Sequence, residues 1–187
     1  MRPRHHLLLL LLCVLLWPAW PALAQEVSVA SRREGEAVIV EAITELAVTP
    51  EQAWGPLTDY DNLARFIPDM QQSRTIERNG HRVLVEQKGS AGLFFLRRAI
   101  EVRLEIEESP HGWITARAVS GSFREMQGRY DLEAVAGMVR LRYTGRFVPD
   151  FWVPAVIENA AMRRAVTRQF AAMAREILRR VGREPAP

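Results

Sequence analysis

The sequence predicts an α+β fold in which a seven-stranded, curved antiparallel sheet wraps on one long C-terminal helix, with two short helices after the first strand. Two observations carry this. Between Asp150 and Val181, Met162, Val166, Phe170, Met173, Ile177 and Val181 recur at helical spacing, with Arg164, Arg168, Arg175 and Arg179 opposite. Upstream, segments alternate with period two between turn residues, the pattern of strands with one covered face.

In chain order, Arg2 and Arg4 precede an apolar run from Leu7 to Trp17, and Ala22-Leu23-Ala24 ends it. A basic start, a short apolar core and a small-x-small ending read as a secretory signal peptide over residues 1–24, cleaved after Ala24. The run falls short of the roughly 20 apolar residues of a membrane span, which disfavours the alternative of an uncleaved anchor. The expected location is periplasmic or secreted. The single cysteine, Cys13, leaves with the leader, so disulfide and thiol chemistry are excluded from the mature chain. The formal charge of +3 falls to about +1 once Arg2 and Arg4 are removed. A nearly neutral chain argues against nucleic acid as partner.

Residues 25–35 and 182–187 read as loose ends, and residues 36–181 as one domain. Glu36 to Leu46, rich in Val, Ile and Thr, is the first strand, with both parities apolar. Thr49-Pro50-Glu51-Gln52 reads as a capping box opening a short helix to Leu57. Asp59 or Asp61 caps a second short turn, which ends before Phe66-Ile67-Pro68. Six strands follow: Gln72-Arg78 and Arg82-Gly89 around Asn79-Gly80, then Phe94-Glu108, Trp113-Ser120, Phe123-Ala134 and Val139-Val148. Parity turns Leu96, Ile100, Val102, Leu104 and Ile106 toward the helix, with Met126, Gly128, Tyr130 and Leu132, and with Val139, Leu141, Tyr143, Gly145 and Phe147.

Trp54-Gly55-Pro56-Leu57-Thr58-Asp59-Tyr60 followed by Phe66-Ile67-Pro68 resembles the opening motif of the bacterial polyketide cyclase/dehydrase family within the START-like (SRPBCC, helix-grip) superfamily. Glu86-Gln87-Lys88-Gly89, Gly121-Ser122-Phe123-Arg124 and Pro149-Asp150-Phe151-Trp152 are similar to the same family. The resemblance implies the helix-grip fold over residues 36–181 and an apolar cavity between sheet and helix for lipids, polyketides, quinones or other hydrophobic molecules. It spans carriers and enzymes, so the chemistry must be read from the residues.

Those residues offer no convergent acid–base set. Asp59 beside Tyr60 reads as a helix cap next to a packed ring. His81 and His111 sit in separate hairpin turns without ligand-spaced partners, so neither metal nor cofactor is expected. Arg98, Asn159 and Gln169 are polar where the pattern is apolar. They read either as internal pairs, Arg98 with Glu86, or as contacts to the polar head of a ligand. The candidate ligand-binding set is Phe66, Arg98, Met126, Tyr130, Tyr143, Asn159, Met162, Val166 and Gln169, with no catalytic residue among them.

The expected function is a monomeric, exported binding or carrier protein for a hydrophobic small molecule or lipid. One alternative is a cyclase/dehydrase-like enzyme on an oxygenated apolar substrate, with Tyr130, Tyr143 or Arg98 polarising a carbonyl. The other is an envelope-associated module that touches a membrane surface transiently through the helix arginines and the aromatic tips Phe94-Phe95 and Phe151-Trp152.

Overall fold

Alternation builds an antiparallel sheet of eight strands, one more than the sequence reading counts. The structure, a computed structural model, describes residues 27–91, 98–150 and 155–182, without the side chains of residues 91 and 155–159. The leader 1–24 and the aromatic tips at Phe94-Phe95 and Phe151-Trp152 lie outside the described residues.

The extra strand is β1, Ser28–Glu34, in the segment expected to be loose. It pairs along its length with β2, Ala37–Leu46, through a two-residue turn whose Gly35 has φ 60°. That left-handed conformation favours glycine. Serines, arginines and a glutamate hide the strand in the sequence, because its stability comes from backbone pairing and from two residues, Val27 and Val29, that pack on the core. Arg32 bridges Glu34 and Glu41 at 3.0 and 2.7 Å on the outer surface.

Next come α1, Pro50–Thr58, a 3-10 turn at Tyr60–Arg65, then β3 Met70–Asn79, β4 Arg82–Ala91, β5 Arg98–Ser109, β6 Trp113–Gly121, β7 Phe123–Val135, β8 Met138–Pro149 and finally α2, Ala155–Val181. The sheet order is β1-β2-β8-β7-β6-β5-β4-β3, so the N-terminal hairpin joins the last strand and all neighbours run antiparallel. At 27 residues α2 is about 40 Å long, enough to cross the sheet.

The capping box forms as expected. The Gln52 amide N–H donates to Thr49 Oγ1 at 3.3 Å, and the Thr49 N–H donates to Gln52 Oε1 at 3.0 Å. Parity also holds: Val102, Leu104 and Ile106 are buried while Glu101, Arg103, Glu105 and Glu107 are exposed. The register of β2 resolves with Val38, Val40, Ala42 and Leu46 in the main core. Ala37 and Ile39 are apolar too because they form a second small cluster with Val148. Val166, Phe170, Met173 and Ile177 are the buried stripe of α2, and the four arginines opposite are exposed.

Asp59 occupies the N-cap position of the 3-10 turn, as expected, but its side chain makes no capping hydrogen bond to the backbone. Its carboxylate instead accepts from Asn62 Nδ2 and Arg180, both at 2.7 Å, and so ties the short-helix region to the end of α2. Arg180 and Arg179 also hold the buried Glu176, whose carboxyl is lowered to about 2, first by the hydrogen bond from Arg179. Tyr60 is buried as expected, and its hydroxyl donates to Glu108 Oε1 at 2.8 Å. Arg78 donates to Glu108 Oε2 at 3.0 Å. The inward parity of β5 thus ends in a buried acid with two partners.

Candidate functional site

Where α2 leaves the sheet near its N-terminal half, a cavity of about 190 Å³ opens between them. Its floor comes from the inward faces of β7 and β8, where Phe123, Met126 and Tyr130 lie against Tyr143 and Phe147. Met162, Ala165, Val166, Gln169 and Phe170 of α2 form the roof, and Met70, Gln87, Lys88, Gly89, Ser90, Ile100 and Val102 close the side toward β3, β4 and β5.

Two glycines oppose each other on the inner face beneath two rings of this wall. Gly128 of β7 pairs with Gly145 of β8, and the room they leave is taken by the Tyr143 and Phe147 rings. A Cβ at position 145 would stand 2.6 Å from the Tyr143 hydroxyl and 2.6 Å from the Phe147 ring, and one at 128 would stand 3.1 Å from the same hydroxyl. Glycine at 145 is required by this close approach, not by its dihedral angles.

Aromatic rings dominate the wall. Tyr130 and Tyr143 are 4.7 Å apart and tilted by 41°, and Phe170 of α2 stacks at 6° to Tyr130 with 6.4 Å between centroids. Burial pushes the Tyr130 phenol up to about 12, and burial followed by the neighbouring Tyr130 raises that of Tyr143 further. Both stay protonated at neutral pH, so they are hydrogen-bond donors and not bases.

The charged wall groups are engaged. Asp69 precedes β3 in a left-handed conformation, φ 65°, with its carbonyl accepting from the Ser90 N–H at 2.9 Å. Its carboxylate forms an ion pair with Arg168 of α2. Lys88 meets Glu101 at 3.2 Å. Among the described residues no group of three or more His, Cys, Asp or Glu side chains gathers.

Six of the nine residues proposed from sequence line this cavity: Met126, Tyr130, Tyr143, Met162, Val166 and Gln169. Phe66 does not. It packs on the core beneath the Arg180 guanidinium, 5.8 Å from its ring, at the opposite end of α2. Arg98 has the inward parity assigned to it but lies exposed as the first residue of β5 and is absent from the wall. Burial increases along that strand from Arg98 through the half-buried Ile100 to Val102, so parity alone misplaces its first residue. The expected Arg98–Glu86 pair does not form, because Glu86 faces outward, between Arg74 at 3.1 Å and Arg103 at 3.3 Å. Asn159 belongs to α2, and its side chain lies outside the described residues.

Sequence reasoning passed over Asp69, Met70, Gln87, Lys88 and Ser90. Gln87 had a usable signal, a polar residue alternating with Val83 and Val85 on the inner side of β4. Asp69 had none, since the Arg168 that meets it is 99 residues away.

The sequence model of the family described as polyketide cyclase / dehydrase and lipid transport matches residues 46–174. Among solved structures, the chain is similar to the Zhui aromatase/cyclase of a Streptomyces species, at 16% identity and TM-score 0.67 over 78% of this chain and 96% of that one. It is similar to a STAR-related lipid transfer protein from Xanthomonas axonopodis, at 16% identity and TM-score 0.66 over 81% and 93%. Human StAR-related lipid transfer protein 5 shares 13% identity and TM-score 0.63 over 83% of each chain. These likenesses establish the START-like helix-grip fold. No curated protein matches the chain.

Proposed function

The chain belongs to the polyketide cyclase / dehydrase and lipid transport family, and on that premise we propose that it is an exported binding or carrier protein that holds a hydrophobic small molecule or lipid between sheet and α2 and releases it unchanged. One observation carries the reading: the cavity is walled by aromatic and methionine side chains, while Asp69, the one carboxylate of its wall among the described residues, is engaged by Arg168 and its phenols stay protonated. Such a wall binds and orients, and among the described residues it offers no free base for a proton abstraction or a dehydration. Export rests on the leader at residues 1–24 and its small-x-small ending. The carrier acts as a monomer, with transient membrane-surface contact as a lesser role.

Native mass spectrometry of the protein from the envelope of its own host tests this. The expected result is a chain beginning at Gln25 that carries an apolar molecule, recovered at the same mass after prolonged incubation. A reproducibly empty protein would overturn the carrier reading, and conversion of the molecule with loss of water would replace it with the cyclase/dehydrase reading.

A further inference from the structure

Two hydroxyls and one amide in the cavity wall have no hydrogen-bond partner among the described residues. They are those of Tyr130, Tyr143 and Gln169. All three residues are partly buried, and a polar group withdrawn from water without a partner is destabilising, so their presence in one wall marks a place where something else supplies the partner. The Tyr143 hydroxyl is also seated: Gly128 and Gly145 clear the space it occupies. Tyr60 provides the contrast, for it is more deeply buried in the same core and its hydroxyl is taken by Glu108.

The charges decide what kind of partner fits. Lys88 and Asp69 are committed to Glu101 and Arg168, and Arg98 lies outside the wall. An anionic head would have to break an ion pair, whereas a neutral oxygen needs only a phenol donor. Size narrows it again. About 190 Å³ lies below the roughly 300–1,000 Å³ of sites for drug-sized ligands and just above the roughly 150 Å³ apolar cavity that accepts benzene.

Resting on the carrier reading above, we infer that the buried part of the ligand is a neutral apolar body of roughly ten non-hydrogen atoms bearing one carbonyl or ether oxygen, which accepts from Tyr143 and Tyr130, with Gln169 as a further polar contact. The oxygen completes hydrogen bonds that the empty wall leaves open, and the rings and methionines enclose the rest.

Isothermal titration of the full chain with butylbenzene, butyrophenone and 4-phenylbutyrate tests it, since the three share a body and differ in head. Butyrophenone should bind about three- to tenfold more tightly than butylbenzene, the worth of one net hydrogen bond, and 4-phenylbutyrate more weakly than both. Tyr143→Phe should erase the ketone's advantage while leaving butylbenzene binding unchanged, and Tyr130→Phe should reduce it. Both variants keep the ring, so their melting temperatures should equal or exceed that of the parent. Equal affinity for ketone and hydrocarbon, or tightest binding of the anion, would overturn the head-group assignment and leave the cavity reading standing. No binding of any of the three to protein that is folded by circular dichroism would remove both.

Discussion

The two ends of the interface between α2 and the sheet are built from one pattern and do opposite things. Toward the C-terminus of α2, Ile177, Leu46, Leu141 and Val139 are fully buried and fill the space. Their polar neighbours are all matched: Tyr60 and Arg78 on Glu108, Arg179 and Arg180 on Glu176, Arg180 on Asp59. Toward the N-terminus of α2, a pair of glycines lets the Tyr143 and Phe147 rings lie close on the sheet, and Tyr130 and Tyr143 line a cavity. The filled end supplies rigidity, and the cavity end spends some of it on open space. An amphipathic helix and an alternating sheet therefore specify that two faces meet, while the volumes at each position decide whether the meeting is closed.

The largest expected effect lies at the filled end. Ile177→Ala should cost about 3 kcal/mol by leaving a void in a packed core, whereas Met162→Ala, at a partly buried position beside existing space, should cost clearly less. Urea unfolding of the two variants compares the ends directly, and equal losses would break the distinction.

Glu108→Ala should cost about 2–3 kcal/mol, because it leaves the Tyr60 hydroxyl and Arg78 without their acceptor. If the contacts are coupled as the geometry indicates, Tyr60→Phe will cost much less in that background than in the parent, which a double-mutant cycle reads.

Gly145→Ala should destabilise by about 1–2 kcal/mol through overpacking against Phe147 and Tyr143. Its more telling outcome is weakened binding of a small apolar probe, visible by titration, as the new methyl displaces the Tyr143 and Phe147 rings of the cavity wall.

Glu176 makes the filled end pH-sensitive. Its folded-state carboxyl, at about 2, lies below the usual 4.5, so its stabilisation is fully present above the unfolded value and is lost as pH falls from about 4.5 to about 2. The size should be about 1–2 kcal/mol, discounted because Arg179 and Arg180 are partly exposed to solvent. Melting temperature against pH for Glu176→Gln and the parent should converge below that window, and parallel curves would exclude the role.

Arg98→Met should have the smallest effect, within about 0.5 kcal/mol of the parent and without change in probe affinity, since the residue is exposed and off the wall. A large loss of affinity would return it to the site and weaken the neutral-head assignment.

What the chain alone determines is whatever is local or periodic. The capping box at Thr49, the period-two faces of β5, β7 and β8, and the Met162-to-Val181 stripe were legible because each depends on residues within a few positions of one another. So were six cavity residues, since strand parity gives Met126, Tyr130 and Tyr143 their face and helical spacing gives Met162, Val166 and Gln169 theirs. β1 escaped, as backbone pairing leaves little trace in side-chain pattern. Parity also cannot say how far along a strand the cover extends, which is why it misplaces Arg98, and an aromatic residue beside the short helices carries no signal for which end of α2 it meets, which is why Phe66 lies away from the cavity. Only the tertiary structure decided that Asp59 belongs to Arg180, 121 residues away, that Asp69 meets Arg168, and that Gly128 faces Gly145. Those partners are chosen by register and by packing across the chain, and the cavity is the volume left over once every such choice has been made.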